Sequence, residues 1–163
     1  RAAGMPGMKV LQFAFDNPWN AYLPHRHEEN CICYTGTHDN TPLLLWRDEE
    51  AKKADLKFAR DYLGLNPREG FNWGIIRGGM GSVADTFVAQ MQDYLALGAE
   101  GRMNTPGTSS GNWQWRMLGD EASPALAKKI HQITKMYGRL PVPKKTAQEE
   151  AAEKAEPSAE TAQ

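Results

Sequence analysis

The stretch MKVLQFAF, residues Met8–Phe15, is mostly apolar and follows a turn at Pro6-Gly7. A short apolar run that starts at a turn is typical of a strand buried on both faces. Two more segments, Cys31–Thr35 and Thr86–Met91, are apolar or β-branched runs of strand length. Strands buried on both faces belong mainly to parallel sheets covered by helices, so these runs predict an α/β fold with a parallel sheet.

Helical patterns lie between and after the predicted strands. Apolar residues recur at helical spacing in Asp48–Leu63, and Gly64 is placed as a C-terminal cap. Asn66-Pro67 predicts the start of a second helix, which the glycines within 78–81 weaken. A last helix is predicted from Ser123-Pro124. The order strand, helix, strand, helices, strand, helix indicates crossover connections between parallel strands.

The composition excludes several classes of protein. The chain has 163 residues, of which 40% are hydrophobic and 24% charged, and this balance fits a globular domain rather than a membrane protein. Its 19 lysines and arginines are scattered along the sequence, and 20 acidic residues balance their charge. Nucleic acid is therefore not an expected partner. Cys31 and Cys33 would share one face of a strand, an awkward geometry for a disulfide, which favours a reducing, cytoplasmic setting.

The two ends of the chain differ from its body. Residues 144–163 are rich in Ala, Glu and Lys and lack aromatic and large aliphatic residues, so they cannot bury enough surface to order themselves. We therefore predict a body over residues 1–140 and a disordered tail over residues 141–163. The chain starts at Arg1 in what resembles a helix end and turn, and we expect it to be a piece of a longer chain.

Polar residues follow the second predicted strand, in Tyr34–Asn40 (YTGTHDN). Parallel α/β folds collect their polar chemistry at the carboxyl ends of their strands. There His38 and Asp39 could bind the hydroxyls of a sugar, and the carboxylate could stabilise a positively charged, oxocarbenium-like state. The alternative is that Asp39 or Asn40 caps a helix whose first residues are Thr41 and Pro42.

A long polar loop follows the third predicted strand. It spans residues 98–116, is rich in Gly and Pro, and holds Trp113 and Trp115, which argue for function rather than disorder. Indole faces suit the apolar faces of sugar rings, but the alternative for each tryptophan is burial in the core. Gln92 and Asp93 end the third strand and either reach a ligand from the same rim or cap the next turn.

Potential metal ligands are frequent in one short span: His25, His27, Glu28, Cys31, Cys33 and His38. Their spacing matches none of the closed zinc patterns, because the cysteines are not a CxxC pair. We predict no metal site. The glycine-rich segment 78–82 lacks the Lys-Ser/Thr ending of a phosphate loop and precedes a strand, so we do not expect it to bind phosphate.

Five motifs taken together resemble one family. They are PGMKVLQFAF (6–15), YTGTHDN (34–40), QD (92–93), RMNTPG (102–107) and GNWQWR (111–116). In this order and spacing they are similar to the C-terminal third of the 4-alpha-glucanotransferases, which are also called amylomaltases or disproportionating enzymes. The resemblance implies that the α/β fold is the C-terminal part of a (β/α)8 TIM barrel, incomplete by itself, with its strands as about the sixth to eighth.

The resemblance also implies a reaction, the transfer of α-1,4-glucan segments between malto-oligosaccharides by a retaining mechanism. A carboxylate nucleophile forms a glycosyl-enzyme intermediate, and a glutamic acid serves first as acid and then as base. By resemblance, Asp39 is a third carboxylate that stabilises the transition state, His38 contacts the same sugar, and Asn104 binds substrate near the cleavage point. The further substrate-binding candidates are Asn40, Gln92, Asp93, Trp113 and Trp115.

The chain departs from the family in two ways. The family usually continues the His-Asp-Asn motif with another aspartate, where this chain has Thr41-Pro42, and this concerns the shape of the loop. The larger departure is that the family's nucleophile segment, of the Arg-Ile-Asp-His type, and its acid/base segment, of the Glu-Asp-Leu-Gly type, occur nowhere in this chain. We therefore predict that the chain is catalytically inactive by itself.

The resemblance defines the expected partners and leaves two rival functions. The partners are α-1,4-glucans and malto-oligosaccharides together with the missing N-terminal part of the same barrel; no cofactor, nucleic acid or membrane is expected. One rival is an α-glucan hydrolase of the amylase group, which would yield only shorter sugars. The other is a non-catalytic glucan-binding remnant.

Overall fold

The computed structural model describes residues 4–141, so all but the first residue of the predicted tail lies outside the described residues. Three strands, β1 (Gly7–Val10), β2 (Cys31–Tyr34) and β3 (Thr86–Val88), form one sheet. All its pairings are parallel, and the strand order is β1-β2-β3. The prediction of an α/β fold with a parallel sheet is confirmed.

Helices connect and follow the strands of this sheet in the described part of the chain. They are α1 (Leu43–Leu45), α2 (Lys53–Leu63), α3 (Phe71–Met80), α4 (Met91–Tyr94) and α5 (Pro124–Met136). Short 3-10 turns cover Leu11–Phe13, Pro24–Arg26 and Ala99–Gly101. The crossover from β2 to β3 is helical, as predicted, whereas the connection from β1 to β2 holds only 3-10 turns instead of the predicted helix.

The first and third strands are shorter than the apolar runs that predicted them. The apolar run over residues 8–15 leaves the sheet at Leu11 and continues as a 3-10 turn. The hydrogen bond from the Ala14 N–H to the Leu11 carbonyl closes this turn. Leu11, Ala14 and Phe15 are nonetheless fully buried. An apolar run indicates that its residues are buried, but not that they all pair with a neighbouring strand. The predicted strand was therefore longer than the observed one. The run at β3 ends in the same way, because Met91 already belongs to α4.

Helix α2 begins later than the sequence predicted. A wide helical turn over Trp46–Glu50 ends at Ala51, whose N–H bonds to the Trp46 carbonyl at 2.8 Å and whose backbone is extended. A new helix, α2, begins at Lys53, although the helical spacing of apolar residues continues through the break. At the other end the prediction is confirmed, since Gly64 adopts a left-handed conformation (φ 62°) that closes the helix.

Helix α3 also starts later, after a single turn in which the Asn66 side chain accepts the Glu69 N–H at 3.0 Å. Gly78 and Gly79 lie inside the helix, which ends at its C-cap Gly81, and they allow neighbouring side chains to approach closely. A Cβ on Gly79 would overlap the Phe87 ring, and one on Gly78 would lie 2.7 Å from the Leu63 side chain. The close packing of α3 on β3 therefore requires glycine at position 79.

Helix α5 follows its prediction. The Ser123 hydroxyl accepts the Leu126 N–H at 3.2 Å and Pro124 occupies the first turn. Its apolar stripe packs on α3 in a cluster that includes Trp73 and Ile133. Beyond the helix, the Arg139 guanidinium donates to the carbonyls of Met80, Ser82 and Ala84, and so ties the segment after α5 to the turn before β3.

The two faces of the sheet have different surroundings. Cys31 and Cys33 are buried in the main core, which the helices complete. The side chains of Met8, Tyr34 and Val88 point to the opposite face of the sheet. Met8 is 57% exposed and Val88 is 39% exposed, while Tyr34 is half-buried. Among residues 4–141, β1 and β3 each pair with β2 alone, so the sheet has two open edges and one poorly covered face. This is the arrangement expected of a sheet that is incomplete by itself.

Candidate functional site

The loop after β2, residues 36–42, lies at the carboxyl end of the sheet and is held there by two glutamine amides. Gln12, which follows β1, donates from Nε2 to the Thr41 carbonyl at 2.7 Å, and Gln90, which follows β3, donates from Nε2 to the Thr37 carbonyl at 2.8 Å. A Cβ on Gly36 would lie only 2.9 Å from the Gln12 amide. The ends of all three strands thus define the shape of this loop.

Asp39 stands on this loop with an accessible carboxylate, its side chain 48% exposed. Asn104 donates from Nδ2 to Asp39 Oδ1 at 2.6 Å, across 65 residues of sequence, and His38 Nε2 lies 3.4 Å from the same oxygen. The structure therefore brings together the three residues to which the sequence resemblance gave the most defined roles. An accessible carboxylate with two polar neighbours can bind hydroxyls and face a developing positive charge.

Trp113 joins this group from the long loop. Its ring centroid lies 5.0 Å from that of His38, and its side chain remains about half exposed, at 51%. Its backbone is left-handed (φ 63°), a conformation rare for a bulky residue, and its N–H bonds to the Met103 carbonyl at 2.6 Å. Core burial, the alternative raised for each indole, is wrong for Trp113 in the described part of the chain, because this residue is about half exposed. Trp115 is half-buried.

Asn40 closes the loop instead of pointing to solvent. Its Oδ1 accepts both the N–H and the hydroxyl of Thr37, each at 2.9 Å. Neither Asp39 nor Asn40 caps the following helix, so that alternative is wrong. The Leu43 N–H at the start of α1 is instead bound by the Asp93 carboxylate, at 2.8 Å.

Gln92 and Asp93 do not reach the surface, which corrects their assignment as direct substrate contacts. They are 4% and 0% exposed, because α4 turns both side chains inward. Gln92 donates to the Gly101 carbonyl at 3.0 Å, and Asp93 accepts the Thr35 hydroxyl at 2.5 Å. Burial raises the pKa of Asp93 to about 6, although its two hydrogen bonds favour the charged form.

The residues that shape the loop, Gln12, Gln90 and Thr35, were not among the sequence-based candidates. A signal for two of them is present, since each glutamine is a polar residue within a predicted apolar run. A buried polar side chain needs a hydrogen-bond partner, so such a residue indicates contact with another segment. For Thr35 the strand pattern offers no comparable signal.

The potential metal ligands of the first half of the chain are spread over different contacts. His25 Nδ1 lies 2.8 Å from the Tyr62 hydroxyl, His27 Nε2 lies 2.8 Å from the Tyr22 carbonyl, and burial raises the pKa of Cys33 to about 12. Within the described residues, no three His, Cys, Asp or Glu side chains converge on one point. Nor does any helix in residues 4–141 have the length and apolarity needed to cross a membrane.

Comparison with known proteins agrees with this geometry. A family profile described as 4-alpha-glucanotransferase matches residues 1–121. The 4-alpha-glucanotransferase of Clostridium butyricum is 46% identical over 140 residues, which are 85% of this chain and 29% of that protein. A chloroplastic/amyloplastic 4-alpha-glucanotransferase of Arabidopsis thaliana is 39% identical over 150 residues, 86% of this chain and 25% of that protein.

A solved structure agrees as well. The amylomaltase of Streptococcus agalactiae, in complex with acarbose, superposes with a TM-score of 0.80 at 34% identity, over 85% of this chain and 28% of that one. The chain thus spans between a quarter and a third of the length of the relatives it matches. Since the matching profile extends over well over half of its residues and across the whole polar loop, the chain belongs to the 4-alpha-glucanotransferase family.

Proposed function

We propose that the chain forms the C-terminal part of a (β/α)8 barrel, over residues 1–140, with β1, β2 and β3 as its sixth, seventh and eighth strands. Parallel neighbours that follow one another in sequence order support this placement. So does the poorly covered face on which Met8 and Val88 are exposed, because the interior of such a barrel is filled by side chains from all of its strands.

The complete protein, in this proposal, transfers α-1,4-glucan segments between malto-oligosaccharides in the cytoplasm. The observation that carries the proposal is the Asp39 carboxylate, accessible at the carboxyl end of the sheet with the Asn104 amide at 2.6 Å and His38 beside it. Active sites of barrel enzymes lie at this end. Asp39 would stabilise the positive charge that develops on the sugar, while Asn104 and His38 hold the Asp39 carboxylate and bind the sugar hydroxyls.

Trp113 adds a platform for a sugar ring. Its indole is 51% exposed and packs at a tilt against His38, so one apolar surface lies beside the polar group of Asp39. Aromatic faces and polar donors side by side match a sugar, which has an apolar face and a rim of hydroxyls. We assign Trp113 to substrate binding with His38 and Asn104, and Asn40 to loop closure.

The chain alone lacks the nucleophile and the acid/base, the two carboxylates that the retaining mechanism requires. Asp93 cannot substitute, because it is fully buried, and Glu100 accepts the Gly98 N–H in a turn of its own. The nucleophile and the acid/base must then come from the upstream part of the barrel. The isolated chain is therefore inactive.

The test is to incubate maltotriose with the isolated chain, and then with the full-length protein that carries the upstream part, and to separate the products by length. A ladder of longer and shorter glucans only with the upstream part supports the proposal. Shorter products alone would identify a hydrolase. No reaction in the folded full-length protein would leave a glucan-binding remnant, and a ladder from the isolated chain would refute its inactivity.

A further inference from the structure

Asp93 binds both ends of the loop that carries Asp39. Thr35 lies just before this loop, at the end of β2, and Leu43 lies just after it, at the start of α1. The Asp93 carboxylate accepts the Thr35 hydroxyl on Oδ2 at 2.5 Å and the Leu43 N–H on Oδ1 at 2.8 Å. One buried side chain therefore sets the distance between the two points from which the loop extends.

The hydrogen bonds around Thr35 match a carboxylate at position 93. The Thr35 hydroxyl donates to Asp93 Oδ2 at 2.5 Å and also accepts the Gln90 N–H at 3.4 Å. Two donors thus converge on two carboxylate oxygens. An amide of the same shape has one acceptor oxygen, and its NH2 group would face one of these two donors. Asparagine would therefore replace the charge-assisted bond from the Thr35 hydroxyl by a neutral bond that runs in the opposite direction, from its NH2 group to Thr35 Oγ1.

Asp39 depends on the backbone of this loop because few side-chain contacts fix its carboxylate. Its side chain is about half exposed and contacts Asn104 and His38, which are themselves exposed or partly so. The place of the carboxylate is then decided by the backbone of the loop. In a preorganised site, a displacement of about 1 Å can lower the rate about 10²-fold.

We propose that Asp93 is a positioning residue, which holds the loop so that the Asp39 carboxylate meets the charge on the transferred sugar. The inference rests on the proposed function, since it gives Asp39 a role in the transition state. Gln12 and Gln90 complete the support by binding carbonyls within the loop, those of Thr41 and Thr37. Asp93 itself does not touch substrate, because it is fully buried.

The experiment compares Asp93→Asn with wild type in the full-length protein, with maltotriose as donor and acceptor. We expect kcat to fall about 10- to 100-fold while KM changes much less, since the sugar contacts at Trp113 remain. Glu69→Gln is the matched control: it also turns a carboxylate into an amide and breaks an ion pair, with Arg77, but it lies on the turn before α3. Its kcat should stay at the wild-type value even if its Tm falls.

A double-mutant cycle separates positioning from a merely structural role. If Asp93 acts through Asp39, then Asp93→Asn should lower kcat in the wild type but hardly at all in an Asp39→Ala background. Equal losses in both backgrounds would overturn the proposal. If Asp93→Asn does not fold, Thr35→Val and Thr35→Ser replace it, since only the serine keeps the hydroxyl that binds Asp93. Wild-type kcat in Thr35→Val would equally contradict the proposal.

Failure of this inference and failure of the proposed function give different results. A full-length wild-type protein without transferase activity contradicts the proposed function. An active wild type whose stable Asp93→Asn variant retains full kcat contradicts the positioning role alone.

Discussion

Asp39 is an exposed carboxylate whose charge is held by few contacts, so its removal should affect chemistry more than folding. In the full-length protein we expect Asp39→Asn to lower kcat by about 10²-fold or more, because the charge that faces the developing cation is lost. The matched control is Asp61→Asn, which neutralises an exposed carboxylate paired with Lys57 on α2. Steady-state kinetics and thermal unfolding check both variants. Near-normal turnover of a folded Asp39→Asn protein would refute the assignment.

Trp113 distinguishes sugar contact from core packing at the level of one side chain. Because its indole is half exposed, Trp113→Ala should raise KM for malto-oligosaccharides several-fold and leave Tm almost unchanged. Trp73, which is 9% exposed in the cluster under α5, is the control. Trp73→Ala should lower the free energy of unfolding by about 3–5 kcal/mol. A large drop in Tm for Trp113→Ala would indicate a core role instead.

Asp93 should make stability depend on pH. Burial raises its pKa from 3.8 to about 6, so the native state holds the proton more tightly than the unfolded state does. Stability from this group is then present below about pH 4 and is lost as the pH rises towards 6, by on the order of 1–3 kcal/mol. The Tm of wild type relative to Asp93→Asn should fall over this range and level off above it. A difference in Tm that rises with pH would show that the hydrogen bonds outweigh burial.

Glycines allow close packing between elements of this chain. Gly78 and Gly79, which are adjacent on α3, form a matched pair for substitution. Gly79→Ala should lower the free energy of unfolding by about 1–3 kcal/mol, because the new methyl group would overlap the Phe87 ring on β3. Gly78→Ala meets only the flexible end of Leu63, and helix propensity favours alanine by about 1 kcal/mol, so its effect should be small. Thermal unfolding compares the two. Equal losses would mean that α3 can move away from the sheet.

The elements also show why periodicity predicts a helix better than its ends. The apolar spacing of α2 continues through the break at Ala51, because both sides of the break face the same core. The ends that were predicted correctly carry a local signal. Gly64 has the left-handed backbone of a C-cap, and the Ser123 hydroxyl binds the first turn of α5.

For the whole molecule, the poorly covered face of the sheet governs behaviour in solution. With Met8 and Val88 exposed and both sheet edges open, we expect the isolated chain to bind a hydrophobic dye and to self-associate. Dye fluorescence and sedimentation measure this. In the full-length protein, where the upstream strands cover this face in our proposal, both signals should fall. A monodisperse isolated chain without dye binding would contradict the open-sheet interpretation.

The loops that carry His38, Asp39 and Asn104 show how much of the candidate site could be predicted from the sequence. The motif around His38, Asp39 and Asn104 was recognisable from residue types and their order, and the structure places these residues together. The parallel sheet was likewise predicted, because runs of apolar residues and the turns that bound them are local properties. The helix caps at Gly64 and Ser123 follow from the same kind of local chemistry.

Only the tertiary structure decided which polar residues face solvent. Asp93 and Asp39 are both aspartates in polar motifs after predicted strands, yet one is fully buried and the other is about half exposed. The difference arises from contacts between distant segments: Asp93 binds Thr35 across 58 residues, and Asn104 reaches Asp39 across 65. The sequence by itself determined the sheet, the caps and the motif, since these depend on neighbouring residues. Burial depends on which segments meet in space, and local patterns do not contain that information.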